Sequence, residues 1–132
     1  QFPCSLHNAP MLLPTSGSAL RRTLEQWFQE QGIHPRVVAE YDDAALMKVA
    51  AADGLGCFPL PTVVLGEAIT RYGFQAIGEA AGCDVPFYAI TAERKLTHPA
   101  VLAITSNARG VLFAKAKHPA NPPQKRPESG QP

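Results

Sequence analysis

Two short polar segments contain the residues best suited to bind a small ligand. The first is Thr15, Ser16, Gly17 and Ser18, which offers hydroxyl and backbone N–H groups just before an amphipathic stretch. Free N–H groups at a helix N-terminus, together with the helix dipole, favour an anion. The same hydroxyls can act as helix N-caps, so ligand contact and capping both stay open.

The second segment is the acidic pair Asp42 and Asp43, with Glu40 close by. Carboxylates are hard oxygen ligands of the kind that cations such as Na⁺ and Ca²⁺ take. Carboxylates at the start of a helix also serve as caps and as partners of its dipole. The pair is therefore a candidate site for a cation such as Na⁺ or Ca²⁺. The alternative interpretation is capping, with Asp42 as the N-cap and Asp43 in the first turn.

Other residue types give no recognisable catalytic or zinc signature. No Ser nucleophile motif, P-loop, HExxH or CxxC occurs, and no histidine lies three or four residues from another. The three cysteines are an odd number and widely spaced, which predicts free thiols, a reducing compartment and hence a cytoplasmic protein. These patterns predict that the protein is not an enzyme and takes no cofactor. The residues concerned are His7, His34, His98, His118, Cys4, Cys57 and Cys83.

Composition limits the remaining function classes. The chain has 132 residues, of which 45% are hydrophobic, so it can bury a core. A formal net charge of +1 gives no general case for nucleic acid or an anionic membrane. The longest apolar runs fall well short of the roughly 18–20 residues that span a bilayer, so we expect no membrane partner.

The basic residues are unevenly distributed. Residues 1–114 hold eight Lys/Arg and ten Asp/Glu, a net charge of −2, whereas residues 115–132 hold four and one, a net charge of +3. Five of the last fourteen residues are proline. This composition predicts a disordered, Pro-rich basic tail over residues 115–132.

The hydrophobic pattern alternates between strands and helices. A first strand is predicted over 11–13, and a second is predicted to begin with residues 37–39 and to end at residues 40–41. Between them lies a helix that ends at Gly32 and whose apolar face is Leu20, Leu24, Trp27 and Phe28. A second helix is predicted with an inner stripe of Ala45, Leu46, Val49 and Ala52.

The same reasoning extends to the end of the folded part. A third strand is predicted over 55–60, a third helix over 62–72 with Pro61 at its first position, and short strands over 74–77 and 85–91. A last helix is predicted to begin at His98-Pro99. Its apolar face is Val101, Ile104, Ala108 and Leu112.

Strands that alternate with helices imply an α/β fold with a mainly parallel sheet. In such sheets ligands bind beyond the carboxyl ends of the strands. We therefore expect the loops at Thr15–Ser18, Asp42–Asp43 and Phe58–Pro61 to meet at one sheet edge.

Several segments resemble one family of regulators. Residues 50–61, AAADGLGCFPLP, resemble the VAAGLGIxxLP segment of the effector-binding domain of LysR-type transcriptional regulators. Residues 11–32 look like the strand, Ser/Thr-Gly turn and long helix that open the second lobe of that domain. Further segments resemble the NhaR branch, the sodium-responsive activators of Na⁺/H⁺ antiporter genes; they are LLPT at 12–15, YDDAALMK at 41–48, YGFQAIG at 72–78 and FYAITAERK at 87–95.

The resemblance implies a periplasmic-binding-protein-like, Rossmann-like fold of two lobes with an effector cleft between them. Residues 1–9 would then be an inter-lobe or disordered start, and residues 10–84 the second lobe. Residues 85–114 would be a return strand and helix that belong to the first lobe. The DNA-reading domain and most of the first lobe are expected upstream of Gln1.

The function implied by the resemblance is an effector-sensing module of a transcriptional activator that responds to Na⁺ or a small organic anion. Thr15, Ser16, Gly17, Ser18, Phe58 and Pro59 would face the effector, and Asp42 and Asp43 would be the Na⁺ ligands. The helix at 19–31 would pair with a second copy in a homodimer or tetramer, with Arg21 and Arg22 as interface or solvated residues. Promoter DNA would be bound only through the missing domain. A solute-binding protein or a small α/β enzyme lobe is the alternative with the same architecture.

Overall fold

The computed structural model describes residues 1–88, 90, 99–108 and 110. The chain forms two compact units, 1–92 and 93–132. The first contains a 3₁₀ helix, two strands and three helices; the second contains one described helix. In chain order they are the 3₁₀ helix Cys4–Leu6, β1 Pro10–Pro14, α1 Ala19–Gln31, β2 Arg36–Tyr41, α2 Ala44–Ala52, α3 Thr62–Tyr72 and α4 Pro99–Ala108.

The strands confirm the predicted α/β class. β1 and β2 are parallel, with Pro10 opposite Arg36 and Pro14 opposite Tyr41. On the other side of β1, a single parallel bridge joins Met11 to Cys57. β1 is therefore the central element, and the three chain segments run in the same direction.

The predicted third strand over 55–60 is wrong in extent, because it is reduced to that one bridge. The bridge consists of a hydrogen bond from the Leu12 N–H to the Cys57 carbonyl at 2.8 Å and one from the Cys57 N–H to the Pro10 carbonyl at 3.0 Å. Pro59 and Pro61 have no N–H to continue the ladder.

The core of the first unit lies between β1 and α1. Leu12 and Leu13 are fully buried, as expected for a central strand covered on both faces. The predicted inner face of α1 is confirmed: Leu24, Trp27 and Phe28 are buried, and Leu20 packs against them. The Trp27 indole Nε1–H also donates to the Ala81 carbonyl at 3.1 Å, which fixes its orientation.

The ends of α1 follow their sequence signals. The Ser18 hydroxyl accepts a hydrogen bond from the Arg21 N–H as the N-cap. Gly32 ends the helix with φ 64°, a left-handed conformation that glycine adopts without steric cost.

The inner stripe predicted for α2 is wrong. Leu46 and Val49 are 61% and 52% exposed, whereas Met47 is buried. Ala50 and Ala51 are half-buried on the same face as Met47. These small side chains let the helix approach the strands that it contacts, and the flexible Met47 side chain fills the gap.

The short strand predicted over 74–77 is also wrong. This segment follows Gly73, which ends α3 in the left-handed region, and it has no strand conformation. The Phe74 ring instead packs against the rings of Phe58 and Tyr72. Of the strand predicted over 85–91, residues 85–88 and 90 are not in a strand, and Ala89 and Thr91 lie outside the described residues.

The second unit contains α4, which confirms the last predicted helix. Its half-buried residues are Val101, Thr105 and Ala108, so Ile104, 68% exposed, was wrongly placed on the inner face. The hydroxyls of Thr105 and Ser106 donate back to carbonyls one turn earlier, which lets these polar residues sit inside a helix. Leu112 and the tail 115–132 lie outside the described residues.

Among the described helices, none is long and apolar enough to cross a bilayer. The lobe assignments of residues 1–9, 10–84 and 85–114 stay predictions. In the structure the start of the chain packs on the first unit, because Leu6 is buried in the core and the Phe2 ring stacks on Trp27 at 6.0 Å between centroids.

Candidate functional site

The carboxyl ends of β1 and β2 bring two of the predicted segments together. The Thr15 hydroxyl donates to the Asp42 carboxylate at 2.5 Å, and the Thr15 N–H donates to the Tyr41 carbonyl at 3.2 Å. A hydrogen bond to a charged acceptor is short and strong, so it defines the relative position of the two loops. We call this pair the Thr15–Asp42 site.

The remaining residues of the first loop lead into α1. The Ser18 N–H donates to the Thr15 carbonyl at 3.0 Å, which closes a turn, and the Ser18 hydroxyl caps α1. Ser16 and Gly17 are exposed, and the Gly17 carbonyl accepts a hydrogen bond from the Arg22 guanidinium at 3.1 Å. Ser18 is thus committed to capping, whereas the ligand role of the whole loop stays a prediction.

The two aspartates have different partners, which corrects the predicted cap. Asp43, not Asp42, is the N-cap of α2, and its Oδ1 accepts from the Ala45 N–H at 2.6 Å and the Leu46 N–H at 3.2 Å. The helix begins one residue later than predicted because Asp42 is bonded to Thr15. Within the described ranges, no three His, Cys, Asp or Glu residues gather as a metal-ligand set.

Arg21 is the residue that the sequence interpretation missed. It was expected among the solvated or interface residues of α1, yet only 9% of its surface is exposed. Its Nη1 donates to the Pro14 carbonyl at 3.0 Å and to Glu40 at 2.7 Å, and its Nε donates to Glu25 at 2.6 Å. The signal available in the sequence was Glu25, one helical turn after Arg21.

The electrostatics of Arg21 explain how a cation is tolerated there. Burial alone lowers the pKa of Arg21, but the hydrogen bonds that the guanidinium donates to Glu40 and Glu25, with the attraction of their charges, outweigh it, so the pKa is raised overall. The guanidinium is therefore permanently charged and paired with two carboxylates.

The hydrogen bonds described above leave fewer oxygen atoms of this region available to bind an external cation. The Pro14 carbonyl and Glu40 bind Arg21, and Asp43 binds the start of α2. Asp42 and Thr15 remain directed toward one another at the strand edge. Four carboxylates (Glu25, Glu40, Asp42, Asp43) and two guanidinium groups (Arg21, Arg22) give this region a formal net charge of −2.

Phe58 and Pro59 directly follow Cys57, which pairs with Met11 near the start of β1 and three residues before its carboxyl end at Pro14. The Phe58 ring packs edge-on against Phe74 at 5.0 Å, and Phe74 stacks on Tyr72 at 5.3 Å. Phe58 therefore belongs to an aromatic cluster formed with Tyr72 and Phe74. The predicted effector contact of Phe58 and Pro59 stays a prediction.

An open groove of about 270 Å³ runs beside α1, on the side that faces β2. Its walls include Glu25 and Gln29 from α1, and His34, Pro35 and Val37 from the segment that enters β2. The groove combines polar and apolar side chains and is open to solvent.

Comparison with known proteins identifies the family. Residues 3–112 match the model of the LysR substrate binding domain. The chain belongs to this family. Its α/β fold with parallel strands is accordingly the periplasmic-binding-protein-like fold of that domain.

The chain is also similar to named regulators. It is 35% identical over 115 residues to the transcriptional activator protein NhaR of Escherichia coli (strain K12) and, equally, to NhaR of Shigella flexneri. The similar region covers 87% of this chain and 38% of each relative. No solved structure gives a significant match. The expected NhaR-like membership of the LysR family is confirmed.

Proposed function

We propose that this chain is the effector-sensing part of a LysR-type transcriptional activator and that its effector is Na⁺, bound at the Thr15–Asp42 site. The family match and the similarity to NhaR support the regulatory role. Both relatives are named transcriptional activators, which favours a regulator over a solute-binding protein or an enzyme lobe. The observation that carries the site is the Thr15–Asp42 hydrogen bond at the carboxyl edge of the sheet.

The geometry suits a small cation. The Thr15 hydroxyl uses its proton on Asp42 and keeps lone pairs for a metal ion. Asp42 is exposed and has a second carboxylate oxygen. Asp42 is also the carboxylate of this edge that neither Arg21 nor a helix N-terminus holds. The net negative charge of the region adds to the attraction.

The test compares thermal unfolding of the chain in NaCl and in KCl at equal ionic strength. A ligand at ten times its Kd stabilises the folded state by about 1.4 kcal/mol, so NaCl is expected to raise the Tm by several degrees more than KCl. Asp42→Asn removes the charge and is expected to abolish the difference. Asp53→Asn, at the exposed end of α2, is the matched control and keeps it.

Equal Tm values in the two salts for the unmodified chain would refute Na⁺ binding here. The same difference in Asp42→Asn as in the unmodified chain would refute the assigned site. A small organic anion is the second candidate, favoured by the N-terminus of α1 at Ser18. In that case potassium acetate would raise the Tm above that in KCl, and sodium would have no specific effect.

The proposed output is a change in promoter binding through a DNA-reading domain outside this chain. An effector that prefers one of two arrangements by about 1–3 kcal/mol changes DNA affinity about 5–150-fold. We expect the chain alone to give no sequence-specific mobility shift of promoter DNA. A sequence-specific mobility shift by the chain alone would contradict the proposal that promoter DNA is bound through a domain outside this chain.

Self-association through α1 is part of the same proposal, as a homodimer or tetramer in the cytoplasm. The exposed face of α1 carries Arg22, Gln26 and Gln29, and the groove beside it offers Val37 and Pro35 to a second copy. Sedimentation equilibrium is expected to show association that Gln29→Arg weakens and Gln75→Arg, at another exposed glutamine, leaves unchanged. Equal association constants in both variants would remove α1 from the interface.

A further inference from the structure

Arg21 contacts both ends of the loop that contains the candidate site. Its Nη1 binds the Pro14 carbonyl, directly before Thr15, and its backbone N–H binds the hydroxyl of Ser18, where the loop enters α1. The four-residue loop at 15–18 is therefore held at its beginning and at its end by one residue.

The same Nη1 also reaches the second strand. It donates at 2.7 Å to Glu40, which lies two residues before Asp42. One guanidinium thus joins the last residue of β1 to the end of β2, immediately before the two segments that carry Thr15 and Asp42. The third contact, Nε to Glu25, anchors the guanidinium to α1 itself.

We propose that Arg21 is the positioning residue of the Thr15–Asp42 site: it sets the spacing of Thr15 and Asp42 and connects that spacing to α1. This inference rests on the proposed function, because it states how the two residues of the same site are positioned and how the site is connected to α1. Arg21 does not contact the effector.

The chemistry of arginine suits this role. The guanidinium is planar and presents N–H groups in fixed directions, so Nη1 and Nε address different acceptors at once. A lysine ammonium carries the same charge, but it is a point charge on a flexible side chain and cannot donate to these separate acceptors in the same fixed directions. Arg21→Lys is therefore expected to recover the charge and only part of the positioning.

A consequence for regulation follows from the burial of Arg21. Because its side chain is 10% exposed and donates to three acceptors, a ligand that changes the distance between Thr15 and Asp42 must displace the guanidinium or move α1 with it. The α1 helix therefore responds to the occupancy of the site through Arg21.

The test is amide hydrogen exchange of the full chain. The Thr15 N–H, bonded to Tyr41, reports the site, and the Leu12 N–H, bonded to Cys57, reports the opposite flank of β1. Arg21→Met is expected to increase exchange at Thr15 about tenfold more than at Leu12, because a hydrogen bond to a charged group is lost locally. Arg21→Lys is expected to give an intermediate value.

Two further variants keep the test decisive. Arg22→Met is the matched control, because Arg22 is exposed and bonds the Gly17 carbonyl; it is expected to leave the Thr15 to Leu12 ratio unchanged. Glu40→Gln removes one charge from the network and keeps its shape, so it is expected to raise the ratio even where Arg21→Met fails to fold. A ratio that stays constant in Arg21→Met and Glu40→Gln would overturn the positioning role.

The positioning role of Arg21 and the role of Na⁺ as the effector would be refuted by different experimental results. In the unmodified chain, NaCl against KCl is expected to slow exchange at Thr15. Absence of that effect, with a raised ratio in Arg21→Met, refutes Na⁺ as the effector and retains the positioning role. A sodium effect that survives unchanged in Arg21→Met and Glu40→Gln refutes the positioning role and retains the effector.

Discussion

Substitution of Gly56 tests the placement of the third segment beside β1. A Cβ at Gly56 would lie 2.5 Å from the Pro10 carbonyl oxygen and 2.9 Å from its carbon. Both neighbours are backbone atoms of the central strand, so they cannot rotate away as a side chain would. Gly56→Ala must therefore push residues 56–57 off β1.

The magnitude follows from the contacts that would be lost. The Met11–Cys57 bridge holds two backbone hydrogen bonds, at 2.8 and 3.0 Å, each contributing about 1 kcal/mol net. Partial exposure of β1 adds to this. We expect a loss of about 2–3 kcal/mol, a large part of the stability of about 5–15 kcal/mol that is usual for a domain.

Gly66 is the matched control. It lies inside α3, and a Cβ there would meet nothing within 4 Å. Gly66→Ala is expected to stabilise the chain by about 0.5–1 kcal/mol, because alanine loses less backbone entropy in a helix.

Urea unfolding followed by circular dichroism measures both variants. With a slope of about 1–3 kcal/mol/M, the midpoint of Gly56→Ala is expected to fall by about 1 M and that of Gly66→Ala to rise slightly. Equal midpoints for the two variants would refute the close packing of residue 56 on β1, and with it the bridge that places Cys57, directly before Phe58, beside that strand.

Three further predictions follow from the described contacts. Met47→Ala is expected to cost about 2–5 kcal/mol and Leu46→Ala less than about 0.5 kcal/mol in urea unfolding, and the reverse order would restore the stripe first predicted for α2. Asp43→Ala, which removes the cap of α2, is expected to cost about 1 kcal/mol, and a neutral result would contradict the capping geometry. Burial raises the pKa of the Cys57 thiol, so its protonated form contributes stability at pH values below the unfolded-state pKa, and this stability is lost as the pH rises through the folded-state pKa. In the folded chain, iodoacetamide is expected to modify the exposed Cys4 before Cys57 at pH 8. The opposite order of modification would contradict the packing of Cys57.

The sequence was sufficient where one local signal determined the structure. The α1 helix, its Ser18 cap and its Gly32 end follow from periodicity and capping chemistry alone. The parallel arrangement of β1 and β2 follows from the strand–helix–strand order.

Long-range contacts account for the errors. Both faces of α2 carry apolar residues, so periodicity could not show that Met47 rather than Leu46 faces the strands. Asp42 does not cap α2 as predicted, because its carboxylate accepts a hydrogen bond from Thr15, which lies 27 residues earlier in the chain. Arg21 looked like a surface residue because its partners Pro14 and Glu40 approach it only in the folded state.

The most direct test of the effector site is an amide NMR titration of the chain with NaCl, with KCl at equal ionic strength as reference. We predict sodium-specific shifts at Thr15, Ser16 and Asp42 that saturate, and that Asp42→Asn removes. Identical shifts in the two salts, or sodium-specific shifts confined to residues away from the carboxyl ends of β1 and β2, would contradict a Na⁺ site at Thr15 and Asp42.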